Sequence, residues 1–266
     1  MDGIYNSLPI TGVARAITDI AGISAPTEAG PALDIARSRA KIKFEDNKTD
    51  RVFIYNPDAV ALWLFQKYTT LFEDAVVSSD IQLPMLSVMP SVTPVCFASM
   101  YTGALPDVHG IKSYTKPVVK TDSVFDAFIR AGVKPVIVST GDNSMSRIFL
   151  ERDMDYFIYD STAECNKKAL ELIEEDRYAL IALYNGNYDA AMHRNGPESD
   201  EALSELSANI ETYAALIKHI EIHWRSHRTL AGFCPDHGCH AIDGGIGSHG
   251  LDMPEDMNVV HFYRFI

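Results

Sequence analysis

Two short stretches of this 266-residue chain hold residue types suited to binding metal ions. One is Cys234-Pro235-Asp236-His237-Gly238-Cys239-His240, followed shortly by Ser248-His249-Gly250. The other runs from Tyr188-Asp189 through His193 to Gly196-Pro197. Borderline divalent ions favour neutral imidazole nitrogen supplemented by carboxylate oxygen. Clustered Asp and His of this kind are the ligands a pair of zinc-like ions requires. Phosphoryl transfer between two ions about 4 Å apart needs two such half-sites. Taken singly, each stretch has a plainer reading. Asp236-His237 could be a turn carrying a structural histidine. Asp189 and His193, four apart, could be a surface pair at a helix start.

The elements that must position these residues are strands alternating with helices after Asp50. Apolar runs predict strands at Arg51–Tyr55, Leu86–Met89, Lys134–Ser139, Asp155–Tyr159, Tyr178–Leu183, Arg228–Phe233 and Asn258–Tyr263. Helical patterns fall at Ala59–Phe72, Thr93–Tyr101, Ser123–Ala131 with Gly132 closing it, and Thr162–Glu175. A long helix opens near Pro197 and runs to about Ser226. Continuous apolar strands separated by helices imply an α/β, three-layer α/β/α sandwich with a mostly parallel central sheet. Ligands of such sheets bind beyond the carboxyl ends of the strands. Asp58, Thr93, Asp189 and Asp236-His237 each follow a predicted strand. Asp236 and His237 sit in a loop, where neighbouring side chains can turn to one ion and Gly238 removes bulk beside them. Residues 1–50 read as an N-terminal extension packing on the core, with a short helix at Ala32–Lys41, and residues 51–266 as the functional domain.

Several motifs together resemble the alkaline phosphatase superfamily, on its type I phosphodiesterase/nucleotide pyrophosphatase branch. They are the segment from Met89 through Thr93 to Gly103 with Pro106–Ile111, then Asp189-xxx-His193-xx-Gly196-Pro197, Asp236-His237-Gly238 and His249-Gly250. The resemblance covers about residues 51–263. It implies an alkaline phosphatase-like fold and two divalent ions, zinc first and manganese as the other choice. One ion would be held by Asp189, His193 and His249, the other by Asp58, Asp236 and His237. Thr93 would be the nucleophile, passing through a phosphothreonine. A threonine hydroxyl is a poor nucleophile at neutral pH and needs a cation beside it; an N-cap role for Thr93 is the plainer alternative. The branch carries Gly after its first aspartate, where this chain has Ala59. It carries Asn three residues after the nucleophile, where this chain has Cys96. Cys96 and His240 are the candidate substrate-contacting positions, with a buried helix cysteine and an ordinary loop histidine as the plainer readings.

The expected function is a two-metal phosphohydrolase acting on a phosphomonoester, phosphodiester or phosphonate. The alternatives are a degenerate member that binds metal or phospholigand without turnover, supported by Cys96 and Ala59, and a related phosphomutase. The formal net charge, 23 − 36 = −13, argues against a nucleic-acid polymer or an anionic membrane as partner. The expected partner is a small phosphorylated substrate, drawn in locally by cations. A C-terminal strand exposed at the sheet edge would suit a homodimer. No basic-then-apolar leader is visible, and the four cysteines show no CxxC spacing, so a reduced, cytoplasmic setting is expected. His219, His223 and His227, four apart on the long helix, read as a helix face. Lys112–Thr121 is the obvious cap material besides the N-terminal extension.

Overall fold

The computed structural model describes residues 4–45 and 48–266. In chain order the elements are β1 (Leu8–Pro9), α1 (Gly12–Ala21), α2 (Asp34–Phe44), β2 (Arg51–Pro57), α3 (Leu62–Lys67), a 3-10 turn (Thr69–Phe72), α4 (Glu73–Val77) and β3 (Ile81–Leu86). Next come α5 (Thr93–Thr102), α6 (Pro106–His109), α7 (Val124–Arg130), β4 (Pro135–Thr140), α8 (Ser144–Ile148), β5 (Asp155–Tyr159) and α9 (Thr162–Glu175). They are followed by β6 (Leu180–Asn185), α10 (Asn187–Asn195), α11 (Asp200–His223), β7 (Thr229–Phe233), the hairpin strands β8 (His240–Ile242) and β9 (Ile246–Ser248), α12 (Pro254–Met257) and β10 (Asn258–Phe265).

Among the described residues, eight strands form one sheet in the order β1-β3-β10-β7-β2-β6-β4-β5. β10 is antiparallel to both neighbours, and the other described pairings are parallel. Side chains alternate faces along a strand. In β2 this sends Val52 and Ile54 into one core with residues of α1, α5 and α7, and Phe53 and Tyr55 into another with residues of α9 and α11. A sheet buried on both faces is why these strands read as unbroken apolar runs. The three-layer α/β/α architecture follows.

Three sequence expectations shift. The strand expected at Leu86–Met89 lies earlier, at Ile81–Leu86. Pro84 stands in its middle and looks like a break. It is tolerated because β1 covers β3 only opposite Met85 and Leu86, leaving most of that flank an edge. The helix expected from Ala59 starts only at Leu62 and gives way to the 3-10 turn, because Ala59 has φ 64 and cannot continue a helix. The C-terminal strand is not an edge: β10 lies between β3 and β7, bonded on both sides. Residues before Arg51 add β1 to the sheet, and Val13, Ile17, Ala36 and Phe44 of α1 and α2 join the first core.

Candidate metal centre

Three adjacent strands, β7, β2 and β6, run parallel and release their chains at the same edge of the sheet. The residues just beyond them include Asp236, Asp58 and Asp189. Asp58 directly follows β2, and Asp236 lies in the loop after β7. Asp189 is in the first turn of α10, and His193 stands one turn on. His249 comes from the loop after the β8–β9 hairpin, and Thr93 is the first residue of α5.

These residues converge as two groups. Asp58, Asp236 and His237 place one ligand atom each within 4.8 Å of one another, and so do Asp189, His193 and His249. His237 Nε2 lies 3.4 Å from both Asp58 Oδ1 and Asp236 Oδ2. In the second group Asp189 Oδ1 is 3.3 Å from His193 Nε2 and 3.5 Å from His249 Nε2. The groups are contiguous, since the rings of His237 and His249 stack with centroids 4.1 Å apart. The first group is closed to solvent, whereas Asp189 and His193 side chains retain 20% and 42% exposure, so water reaches the centre from the second group's side.

Hydrogen bonding fixes the imidazoles. His237 Nδ1 bonds Gly238 O at 2.9 Å, His193 Nδ1 bonds Gly247 O at 3.1 Å and His249 Nδ1 bonds Ser91 O at 3.0 Å. A carbonyl oxygen only accepts, so Nδ1 carries the proton in each ring. The neutral imidazole then points a lone pair from Nε2 at carboxylate oxygen. Backbone anchoring of the distal nitrogen is how metal-binding histidines are usually oriented. The carboxylates match: Asp58 Oδ1, Asp189 Oδ1 and Asp236 Oδ2 are buried oxygens with no hydrogen-bond partner. Unpaired buried charge of this kind is costly, and a divalent cation in each group would satisfy it. The donor set therefore fits two such ions.

The charge balance agrees. Burial, then the charge of Asp189, pushes the Asp58 carboxyl up; burial, then Asp58, does the same to Asp236. Burial would also raise Asp189, but its contacts with His193 and His249 outweigh that and hold it low. The Asp189 carboxylate beside it raises His193, and Asp189 likewise outweighs the effect of burial to raise His249. Burial, then His249, pushes His237 well down. Both groups are short of positive charge, which protons supply only in part.

Thr93 is not an N-cap. Val92 holds that position, and Thr93 makes no capping bond. Its Oγ1 instead lies 3.4 Å from Asp58 Oδ2 and 3.2 Å from His237 Nε2. Asn56, near Asp58 in sequence, is turned away, donating to Cys234 O at 2.8 Å and accepting from Tyr101 Oη at 2.6 Å. Ala59 adopts left-handed backbone with φ 64, and its N–H is aimed at Asp236 Oδ1 at 3.5 Å. A Cβ on Gly238 would fall 2.0 Å from Glu255 O, so the close approach of that loop requires glycine.

Cys96 lies one turn along α5 from Thr93 and is fully buried. Its Sγ is 3.2 Å from Ser87 Oγ, and burial raises its thiol well above the ordinary range. His240 is tied through Nδ1 to the buried Asp256 Oδ1 at 2.7 Å. Neither joins the two ligand groups. Sequence reasoning missed Tyr184, whose phenol donates to Asp58 Oδ2 at 2.5 Å. The only signal was a tyrosine near the end of an apolar strand. Beside it opens a cleft of about 480 Å³ whose lining includes Thr140, Asn143, Tyr159, Tyr184 and Asn187.

Residues 64–131, which include Thr93, match the sequence model of the type I phosphodiesterase/nucleotide pyrophosphatase family. The match is confined to that stretch, which resembles the type I phosphodiesterase/nucleotide pyrophosphatase family. No curated protein matches this chain in sequence. Among solved structures it is similar to human ectonucleotide pyrophosphatase/phosphodiesterase 5, with TM-score 0.65, 12% identity, and 80% of this chain and 87% of that one covered. An inactive threonine-to-alanine variant of the murine protein, in complex with AMP, aligns with TM-score 0.60 and 16% identity over 73% of this chain and 59% of that one. A further murine structure gives TM-score 0.55 at 18% identity, covering 73% and 58%. At these identities the likeness establishes an alkaline phosphatase-like fold. The chain spans under three fifths of the murine chains' length.

Proposed function

We propose that this protein is a metal-dependent hydrolase of phosphoric esters that works through a phosphothreonine on Thr93. The observation that carries this is the placement of Thr93 Oγ1 against Asp58 and His237, at the start of α5 and free of any capping bond. Asp58, Asp236 and His237 would hold one divalent ion, and Asp189, His193 and His249 the other, zinc in the first instance. Such ions lower the barrier by stabilising negative charge on the attacking and leaving oxygens.

The chain's own residues do the rest. Thr93 Oγ1 gives up its proton and bonds to phosphorus as the bond from phosphorus to the ester oxygen breaks, and the departing oxygen takes up a proton. Water, reaching the centre from the exposed Asp189 side, then cleaves the bond between Oγ1 and phosphorus, returning the hydroxyl and releasing the phosphoryl product. The first helical turn of α5 presents its positive dipole end to the phosphoryl group. The substrate is a small phosphomonoester, phosphodiester or phosphonate, and the cleft beside Tyr184 supports this reading by offering room for its organic part. The four free, buried cysteines support a reduced, cytoplasmic setting.

The test is release of p-nitrophenol from p-nitrophenyl phosphate, bis(p-nitrophenyl) phosphate and p-nitrophenyl phenylphosphonate, with zinc or manganese supplied. Turnover of at least one is expected, abolished by chelator and reduced about 1,000-fold or more by Thr93→Ala. Acid quenching with a labelled substrate should trap phosphate on wild type and none on the variant. Silence on all three substrates by metal-loaded wild type would overturn the proposal.

A further inference from the structure

On the opposite edge of the molecule, α9 and α11 bring together a third group of ligand-type residues. Glu174 stands next to the last residue of α9, and His219 and His223 occupy the end of α11. One ligand atom from each lies within 4.8 Å of the others. His219 Nε2 is 3.0 Å from Glu174 Oε1, yet it is shut off from solvent and makes no well-directed hydrogen bond. The two imidazole rings sit 4.3 Å apart, tilted by 36°. The third histidine of the series does not take part: His227 bonds Asp50 Oδ2 at 2.6 Å and Asp176 Oδ2 at 2.9 Å.

We propose that Glu174, His219 and His223 form a separate binding site for a zinc-class divalent cation, which ties the C-terminal end of α9 to that of α11. The donor chemistry is two imidazoles and one carboxylate, the mixture borderline ions favour. The i, i+4 spacing on a helix fixes the imidazoles on one face, and the carboxylate arrives from the helix packed beside it. Both helices turn their negative dipole ends toward this point, which suits a cation. Three protein ligands leave a fourth position to water on the exposed side of His223. The site is remote from the candidate centre. α11 starts just after Pro197, near the strand ends that carry Asp189, and its 24 residues extend about 36 Å to where β7 begins. The proposal therefore stands whether or not the protein turns over a phosphoric ester.

The experiment is equilibrium dialysis of the full chain against zinc chloride, with bound zinc counted by elemental analysis, for wild type, His223→Ala and Glu174→Gln. Both changed side chains are exposed, so the fold should persist; circular dichroism checks this. Wild type should bind one more zinc per chain than either variant, or hold that equivalent more than about tenfold tighter. Cobalt substituted into wild type should give a visible band that loses intensity in both variants. Equal zinc stoichiometry and equal dissociation constants across the three proteins would overturn the proposal, as would a wild type that binds no zinc.

Discussion

Tyr184 orients Asp58. Its phenol occupies Asp58 Oδ2 at 2.5 Å, while Oδ1 of the same carboxylate is left without a partner and faces His237. A hydrogen bond of this kind selects which oxygen remains available to a cation, and losing such a partner usually costs 10- to 100-fold in metal affinity. Tyr184→Phe keeps the ring and its edge-on packing against Phe97, with centroids 5.7 Å apart. We expect zinc at the Asp58/Asp236/His237 group to weaken by about 10- to 100-fold, with the Asp189/His193/His249 group unchanged. Two-site calorimetry on the variant separates the outcomes; an unaltered tight-binding isotherm at both groups would show that Tyr184 does not orient the ligand. This residue was not legible in the sequence, because an apolar strand ending in tyrosine is ordinary. The candidate ligands stood out in the sequence because Asp and His recur together after predicted strand ends, and the structure brings them together as two groups.

At the scale of elements, the turn after β2 carries strain. Ala59 is fully buried with φ 64, a conformation that costs an L-residue about 1–2 kcal/mol. Glycine would relieve that, but it would lose a buried methyl, about 0.8 kcal/mol, and gain unfolded-chain entropy of about 0.4–1 kcal/mol. The terms nearly cancel. Ala59→Gly should therefore shift the unfolding free energy by less than about 1 kcal/mol, whereas Ala59→Val, β-branched in the same conformation, should cost upwards of about 2 kcal/mol. Denaturant titration of both variants measures this, and a strongly destabilised Ala59→Gly would mean the methyl matters more than the turn. The same turn shows where sequence reading stops. Periodicity carried a helix through Ala59 because alanine is a good helix former; tertiary demand for Asp58 at the strand end overrode it. β2, β4 and β6 were legible as unbroken apolar runs. β3 was displaced by Pro84, and β1 and α1 were hidden among small residues whose burial depends on partners far along the chain, Met85 and Leu86 for β1.

For the whole molecule, the centre concentrates three buried or nearly buried carboxylates where β7, β2 and β6 end side by side. The fold therefore concentrates unpaired negative charge that cations would relieve, and metal binding should appear as folding free energy. At free ion concentrations 100 times the dissociation constant, each site contributes about 2.7 kcal/mol, so two give about 5 kcal/mol. The pH dependence follows from the carboxyls. In the metal-free chain Asp58 is raised from 3.8 to about 7, and Asp236 is raised as well. A carboxyl raised in the folded state stabilises fully below its unfolded value and loses that contribution as pH climbs through the folded value. Metal-free protein should thus lose stability between about pH 4 and pH 7. Metal-loaded protein behaves in the opposite sense, because cations bind the deprotonated carboxylates and protons compete with them at low pH. The gap in melting temperature between metal-loaded and chelator-treated protein should accordingly be small at pH 5 and wide at pH 8. Scanning calorimetry across that range checks the sign, and a gap that is constant or that narrows toward pH 8 would mean these carboxylates do not share a cation.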